Sequence, residues 1–533
     1  MLFSKAVLIA LATFTAAEAL ELTIETTTGT VTGLINGTTP LVRAFLAIPF
    51  AKPPTGSLRW LPPQPLDTNA SHNVDATRFP PSCPQFLSAI PSVYNQDVTP
   101  WIPYRYDQPA AAGASLQTSS EDCLYLAVWT PANATSTSSL PVLFFITGGA
   151  FLTNGVDVPA QIPNHWIQQS QSHIVVTINY RLNIFGSVAL SAPSQVHVSN
   201  MGRSFPNIPG LSDQNLGLLD QRAALEWVHA NIASFGGDPS RITMWGQSAG
   251  AISTDYHNFA FPSDPIVTSF FAQSGSVFLD IGTHDVLQTN FSFLASNLGC
   301  DTADNSELLN CMRNVSAVDI TNFLGRYTDN STLVNPSQPS LLFAPVVDEK
   351  IVYSNYTQRY ALGAYANLPT IYSSTAMEGE SLVAYPANPN VMGPNQTNAD
   401  ATTRNAFLCP AALSSMLRSQ FNNTTPTYRY LFSGNFSNVS PRFWMGAYHA
   451  SDLAFWFGTH QDLQSPGTGA GSTPDEFALS EAMQDYLLDF VRGRGYVEEW
   501  KTYQEGIIVG FGNGSTSVVE DLSVKQVDGI CAS

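Results

Sequence analysis

The stretch "MWGQSAGA", residues 244–251, sets Ser248 between Gly246 and Gly250, with an apolar run behind it and small residues ahead. A tight turn needs small side chains, and so does a nucleophile that must stand clear of its own backbone. The bare G-x-S-x-G pattern does not separate these readings; its surroundings do. "RITMWG" (241–246) reads as a β-strand and the residues after Ser248 as a helix. A sharp strand-to-helix turn is what a nucleophile elbow requires. It pushes the central side chain out at the edge of a sheet and turns the N–H of the next residue, Ala249, toward any oxyanion formed there.

Working outward, "LPVLFFI" (140–146) and "HIVVTINY" (173–180) are apolar, β-branched runs without alternation. Such runs suit parallel strands covered on both faces. "NLGLLDQRAALEWVHANIASF" (215–235) carries Leu218, Leu219, Leu225, Trp227, Val228 and Ile232 at broadly helical spacing. Gly236 and Gly237 end that helix and Pro239 prevents its resumption, so the next strand is expected from residue 241. "TPDEFALSEAMQDYLLDFV" opens with a capping box, Thr473 to Glu476, and has Pro474 at the first helical position. The pieces describe an α/β fold with a mostly parallel sheet.

Neighbouring segments narrow the class. "FLAIPFAKPPTGSLRW", "SEDCLYLAVWTP", "NYRLNIFGSVAL", "NLGLLDQRAALEWV" and "FGGDPSRITMWGQSAGA" together resemble the type-B carboxylesterase family, which includes cholinesterases and fungal lipases of the Candida kind. The resemblance runs from roughly Leu22 to the last cysteine. It implies one large α/β-hydrolase domain over residues 20–533 in place of several smaller units, and carboxylic-ester hydrolysis as the activity.

A serine hydroxyl attacks only when a base takes its proton, and the base needs a third group to orient it. In this fold the order along the chain is Ser, acid, His. His257, His284, His449 and His460 follow Ser248. His257 sits on the helix just past the elbow, His284 leaves no room for an acid-bearing strand, and His460 lies in a polar, Gly-rich segment. His449, in "MGAYHASDLAFWFG", remains, and the family's histidine motif falls on it. For the acid, Glu378 in "LPTIYSSTAMEGESL" follows an expected strand and occupies the family's acid position. Asp452, three residues past His449, is its local competitor. By resemblance Gly149 and Ala150 of "ITGGAF" (146–151) join Ala249 as oxyanion donors. Thr147 stands where relatives commonly have His or Tyr, and Ala150 where they have Gly. Backbone donors survive both changes.

The six cysteines form an even set, as an oxidising compartment favours. Sequence alone leaves their connectivity open; the resemblance implies Cys83–Cys123, Cys300–Cys311 and Cys409–Cys531. The first of these loops carries Phe86, Leu87, Ile90, Val93, Tyr94, Trp101 and Ile102, which reads either as an interfacial lid or as ordinary apolar packing. Its tryptophan is out of register with that of cholinesterases, whose position is Gly113 here, and Gln247 replaces the glutamate that often precedes the nucleophile. Both departures argue against a cationic alcohol.

"MLFSKAVLIALATFTAAEALE" has a basic n-region at Lys5, an apolar stretch and an Ala17-Glu18-Ala19 cleavage triplet, so residues 1–19 are expected to be a secretory signal. Thirteen sequons, at Asn36, Asn69, Asn133, Asn290, Asn314, Asn330, Asn355, Asn395, Asn422, Asn423, Asn435, Asn438 and Asn513, suit a glycosylated, secreted protein. A net charge of −19 argues against nucleic acid or an anionic membrane, and no later run is long enough to anchor the chain in a bilayer. No cofactor or metal is implied, since H-E-x-x-H is lacking and the histidines are scattered. The expected partner is a small-molecule or lipid ester. Within enzymes the rivals are a lipase or sterol esterase and a lactonase or acyltransferase; outside them, a non-catalytic adhesion or ligand-binding relative.

Overall fold

Along the run 140–146 the side chains alternate between two cores: Val142, Phe144 and Ile146 enter one, Leu143 and Phe145 the other. A strand with no polar face has to be covered on both sides, and removing each such side chain from water contributes about 1.5–3 kcal/mol. The next strand repeats the division, with Ile174, Val176 and Ile178 on the first side and Val175 on the second. The structure is a computed structural model that describes residues 22–67, 72–105, 108–109, 119–187, 211, 213–279, 289–330, 341–422 and 424–532. The expected signal (1–19), Asn69, His284 and Asn423 lie outside the described residues.

These runs belong to a sheet of eleven strands. In chain order they are β1 (Leu34–Ile35), β2 (Val42–Pro49), β3 (Tyr125–Pro131), β4 (Leu140–Ile146), β5 (Ile174–Ile178), β6 (Gly237–Gln247), β7 (Ser269–Gln273), β8 (Thr370–Thr375), β9 (Thr427–Gly434), β10 (Ile507–Gly514) and β11 (Val519–Ser523). The spatial order is β11-β10-β9-β8-β7-β6-β4-β5-β3-β2-β1. From β5 through β4, β6, β7, β8 and β9 to β10 every pairing is parallel; antiparallel strands close both ends. Helices α1 (Leu216–Asn231) and α2 (Ala249–Ala260) send Leu225, Val228, Ile252 and Phe259 into the first core, and α5 (Pro474–Arg492) sends Leu479, Met483 and Leu487 into the second. The helices α3 (Ala317–Asp329) and α4 (Cys409–Phe421) fall between them in the chain. This is an α/β-hydrolase fold.

The expected boundaries hold at 140–146 and at the Thr473–Glu476 capping box. β6 differs: it starts at Gly237 and contains Pro239, because Gly237 pairs with Leu140 before the register shifts ahead of Ile242. Proline is tolerated there since an irregular pairing needs no ladder N–H from it. Further along β6, Trp245 is fully buried between Phe145, Phe271 and Phe457, with ring centroids 4.6, 5.4 and 4.8 Å away. Its indole N–H donates to Gln273 Oε1 at 2.8 Å. The strand that presents Ser248 is therefore fixed from both sides just before it turns.

Candidate active site

Ser248 follows β6 directly and caps α2, with φ 57° and ψ −120°. A non-glycine residue in that region costs on the order of 1–3 kcal/mol and persists only where its surroundings enforce it. They do so through close approach. A Cβ on Gly246 would collide with the carbonyl of Gly250, and one on Gly250 with the carbonyl of Ile146. The small residues are thus demanded by the crossing of α2 over the ends of β4 and β6. Ser248 N–H donates to Gln273 O at 2.9 Å. Ala249 is the first residue of α2, where helix amides lack partners within the helix.

Glu378 and His449 meet through their backbones as well as their side chains. Met377 and Tyr448 form an isolated parallel bridge, and Met377 N–H donates to Ala447 O at 3.0 Å. The next residue of each segment is then brought alongside the other: His449 Nδ1 lies 2.6 Å from Glu378 Oε2, both side chains buried. The other carboxylate oxygen accepts from Ser274 Oγ and Thr375 N–H, each at 2.7 Å. Asp452, the competing acid, points elsewhere and accepts from Tyr430 O–H at 2.8 Å. Burial, followed by the charge of Glu378, pushes the Asp452 carboxyl up to about 7. The Phe407 ring packs on the imidazole, centroids 4.6 Å apart.

Nε2 of His449 faces the side-chain amide of Gln247, 3.1 Å away, and among the described residues no hydrogen bond joins it to Ser248 Oγ. The two residues do share one cavity of about 570 Å³, which Gly149 and Ala150 also line. That volume suits a small organic ligand. Gly149 (φ 110°) and Ala150 (φ 56°) form a turn closed by Leu152 N–H and Thr153 N–H on Gly149 O, at 2.9 and 3.1 Å. The turn hangs from Thr147, whose carbonyl accepts from Tyr180 O–H at 3.0 Å and whose hydroxyl donates to Gln161 at 2.8 Å.

A further part of the cavity wall comes from the Cys83–Cys123 loop: Phe86, Leu87, Tyr94, Trp101 and Ile102 line it. Tyr94 O–H donates to His449 O at 2.9 Å, and Trp101 Nε1–H to Ala450 O at 3.1 Å. Burial pushes the Tyr94 hydroxyl well above its ordinary value. Asp97 holds Arg442 at 2.6 Å and accepts from Tyr385 O–H at 2.9 Å, while Asp329 at the end of α3 accepts from Ser88 O–H at 2.5 Å. Leu87, Val93, Trp101 and Ile102 are buried, and Ile90 is exposed. Residues 106, 107 and 110–118 of this loop lie outside the described residues.

Two of the other candidate histidines find other partners. His257 Nε2 faces Gln221 on α1 at 3.2 Å, and His460 Nδ1 faces Ser472 at 2.8 Å. The disulfides are Cys83–Cys123, Cys300–Cys311 and Cys409–Cys531. Among the sequons, Asn36, Asn133, Asn314, Asn330, Asn355, Asn395, Asn435 and Asn513 are exposed and Asn422 is half-buried. Asn290 and Asn438 are buried, with Nδ2 donating to Leu342 O and to His460 O. Ser274, Phe407 and the amide contact of Gln247 were not anticipated. Ser274 does follow an apolar strand run directly, the same placement that flags Ser248.

The chain belongs to the carboxylesterase family, whose model matches residues 20–409. It is thus a carboxylic-ester hydrolase by class. Individual relatives are similar over most of their length. A chlorogenic acid esterase of Aspergillus niger is 40% identical over 88% of this chain and 82% of its own. Secreted lipase 5 of Gibberella zeae is 33% identical over 88% and 85%. An acetylcholinesterase of Bungarus fasciatus is 27% identical over 89% and 78%. Among the described residues no helix is long and apolar enough to cross a membrane.

Proposed function

We propose that the chain is a secreted serine esterase of one domain, residues 20–533, that works through an acyl-enzyme. Ser248 Oγ attacks the ester carbonyl while His449 Nε2 takes its proton. Glu378 orients the ring through Nδ1–H and stabilises the imidazolium that forms. The N–H groups of Gly149, Ala150 and Ala249 receive the oxyanion. The imidazolium then returns the proton to the leaving alcohol, and water repeats the sequence to free the acid. The observation that carries this reading is the 2.6 Å contact between His449 and Glu378, on an imidazole that shares its cavity with a serine on a strained strand-to-helix turn. A signal at 1–19, the disulfides and the exposed sequons support export.

The name of the A. niger relative makes chlorogenic acid the first ester to test. A lipase is the second reading, favoured by the apolar wall of Phe86, Leu87, Ile102, Leu324 and Leu382 and by the G. zeae relative. Ser248→Ala is expected to lower hydrolysis of p-nitrophenyl butyrate by about 10⁵-fold or more with thermal unfolding nearly unchanged. Substantial turnover by that variant would overturn the nucleophile assignment. Initial rates on chlorogenic acid and on triglyceride emulsion then separate the two substrate readings.

A further inference from the structure

Gln247 precedes the nucleophile, and its side chain is 3% exposed, far too buried for a surface amide. It lies between two parts of the site. A Cβ added to Gly148 would come within 2.6 Å of its Oε1, and its Nε2 lies 3.1 Å from His449 Nε2. The chemistry assigns the direction of the second contact. Glu378 accepts two donors at Oε1 and faces Nδ1 of the ring with Oε2, so the ring proton sits on Nδ1 and the lone pair on Nε2. The amide N–H therefore donates to the very lone pair that the serine reaction needs. Ser248 Oγ meanwhile faces the cavity with no bond to the ring among the described residues.

We infer that Gln247 is a positioning residue that holds the His449 lone pair in the resting enzyme and yields it to Ser248 when an ester enters. The inference rests on the reading of Ser248 and His449 given above. A bound ester crowds the narrow space beside Gly148 and Gly149 and can offset the lost amide bond with its own contacts. A small reagent with little binding energy cannot, and reacts only with the fraction of enzyme whose lone pair is free. One neutral hydrogen bond changes such a fraction by about two- to tenfold. Methionine fills nearly the same volume without donating, and a leucine side chain has no N–H to donate. Either substitution releases the base.

The test uses the full-length protein and phenylmethylsulfonyl fluoride, with kcat and KM for p-nitrophenyl butyrate measured in parallel. Gln247→Met is expected to react with the sulfonyl fluoride about two- to tenfold faster than wild type, with a smaller change in kcat/KM for the ester. Gln247→Leu decides in the same way where the methionine variant does not fold. A rate at or below that of wild type overturns the inference, and is also what a purely structural role for the amide would give. The Ser248→Ala control separates the two levels. If that variant is modified at the wild-type rate, the nucleophile reading fails. If it is inert while the Gln247 variant is no faster, only the positioning role fails.

Discussion

The two walls of the cavity are held by different means. On one side Ser248, Glu378 and the Gly149 turn hang from the ends of parallel strands, and His449 is tied to them by the Met377–Tyr448 bridge. Their positions follow from backbone hydrogen bonds shared across a sheet. On the other side the Cys83–Cys123 loop is stitched down by single side chains: Tyr94 and Trp101 on the histidine segment, Asp97 on Arg442, Ser88 on Asp329. On the sheet side neighbouring ladder bonds repeat the same constraint; on the loop side each bond is singular, backed by the disulfide and by the buried side chains of Leu87, Val93 and Trp101. The chemistry proposed above thus belongs to the sheet-held residues, and much of the apolar lining of the cavity to the loop.

The largest expected effect breaks the sheet-side constellation directly. Glu378→Gln should lower kcat by about 10³–10⁴-fold, because the amide can stabilise the wrong ring tautomer and cannot stabilise the imidazolium. Asp452→Asn should stay within about tenfold of wild type in the same ester assay. Equal losses would remove the distinction drawn between the two acids.

A second, intermediate effect concerns how that wall responds to acid. Burial holds His173, just ahead of β5, and His257, on α2, down at about 3 in the folded chain, against 6.5 when unfolded. Below pH 6.5 the unfolded chain binds protons that the folded one refuses, so stability falls as pH drops from 6.5 toward 3; above 6.5 these groups contribute nothing. At pH 5 each costs on the order of 2 kcal/mol. Asp452 acts in the opposite sense: protonated below about 7 in the fold, it adds stability as pH falls from 7 toward 4. His257→Gln should therefore flatten the decline in urea midpoint between pH 7 and pH 5. An unchanged slope would show that this histidine titrates normally.

The smallest effect sharpens the loop side. Tyr94→Phe removes the bonds to His449 O and Ser381 and should cost about 1 kcal/mol of stability, with KM raised a few-fold and kcat nearly constant. A hundredfold fall in kcat would mean that the loop positions the base, and the two walls would no longer be separable.

The legible parts of this molecule were those written in local pattern. The unalternating run 140–146 announced a strand buried on both faces, and small residues around Ser248 announced a turn that tolerates no bulk. His449 and Glu378 were accessible through chain order and family motifs. What stayed hidden depends on segments distant in the chain: Ser274 on Glu378, Gln247 on His449, Phe407 under the imidazole. A single serine or glutamine carries no periodicity, so only the folded register brings it into view. The start of β6 is hidden for a related reason, since Pro239 reads as a breaker while Gly237 in fact pairs with Leu140. The sequons at Asn290 and Asn438 illustrate the same limit, because a three-residue motif is blind to burial.

The contact of Gly250 with the carbonyl of Ile146 has a mechanical corollary. It leaves less than one methyl group of slack between the chain that bears the hydroxyl and the chain that leads into the Gly149 turn. The spacing between Ser248 and the Gly149 turn is consequently a gauge machined into two backbones, set before any ligand enters.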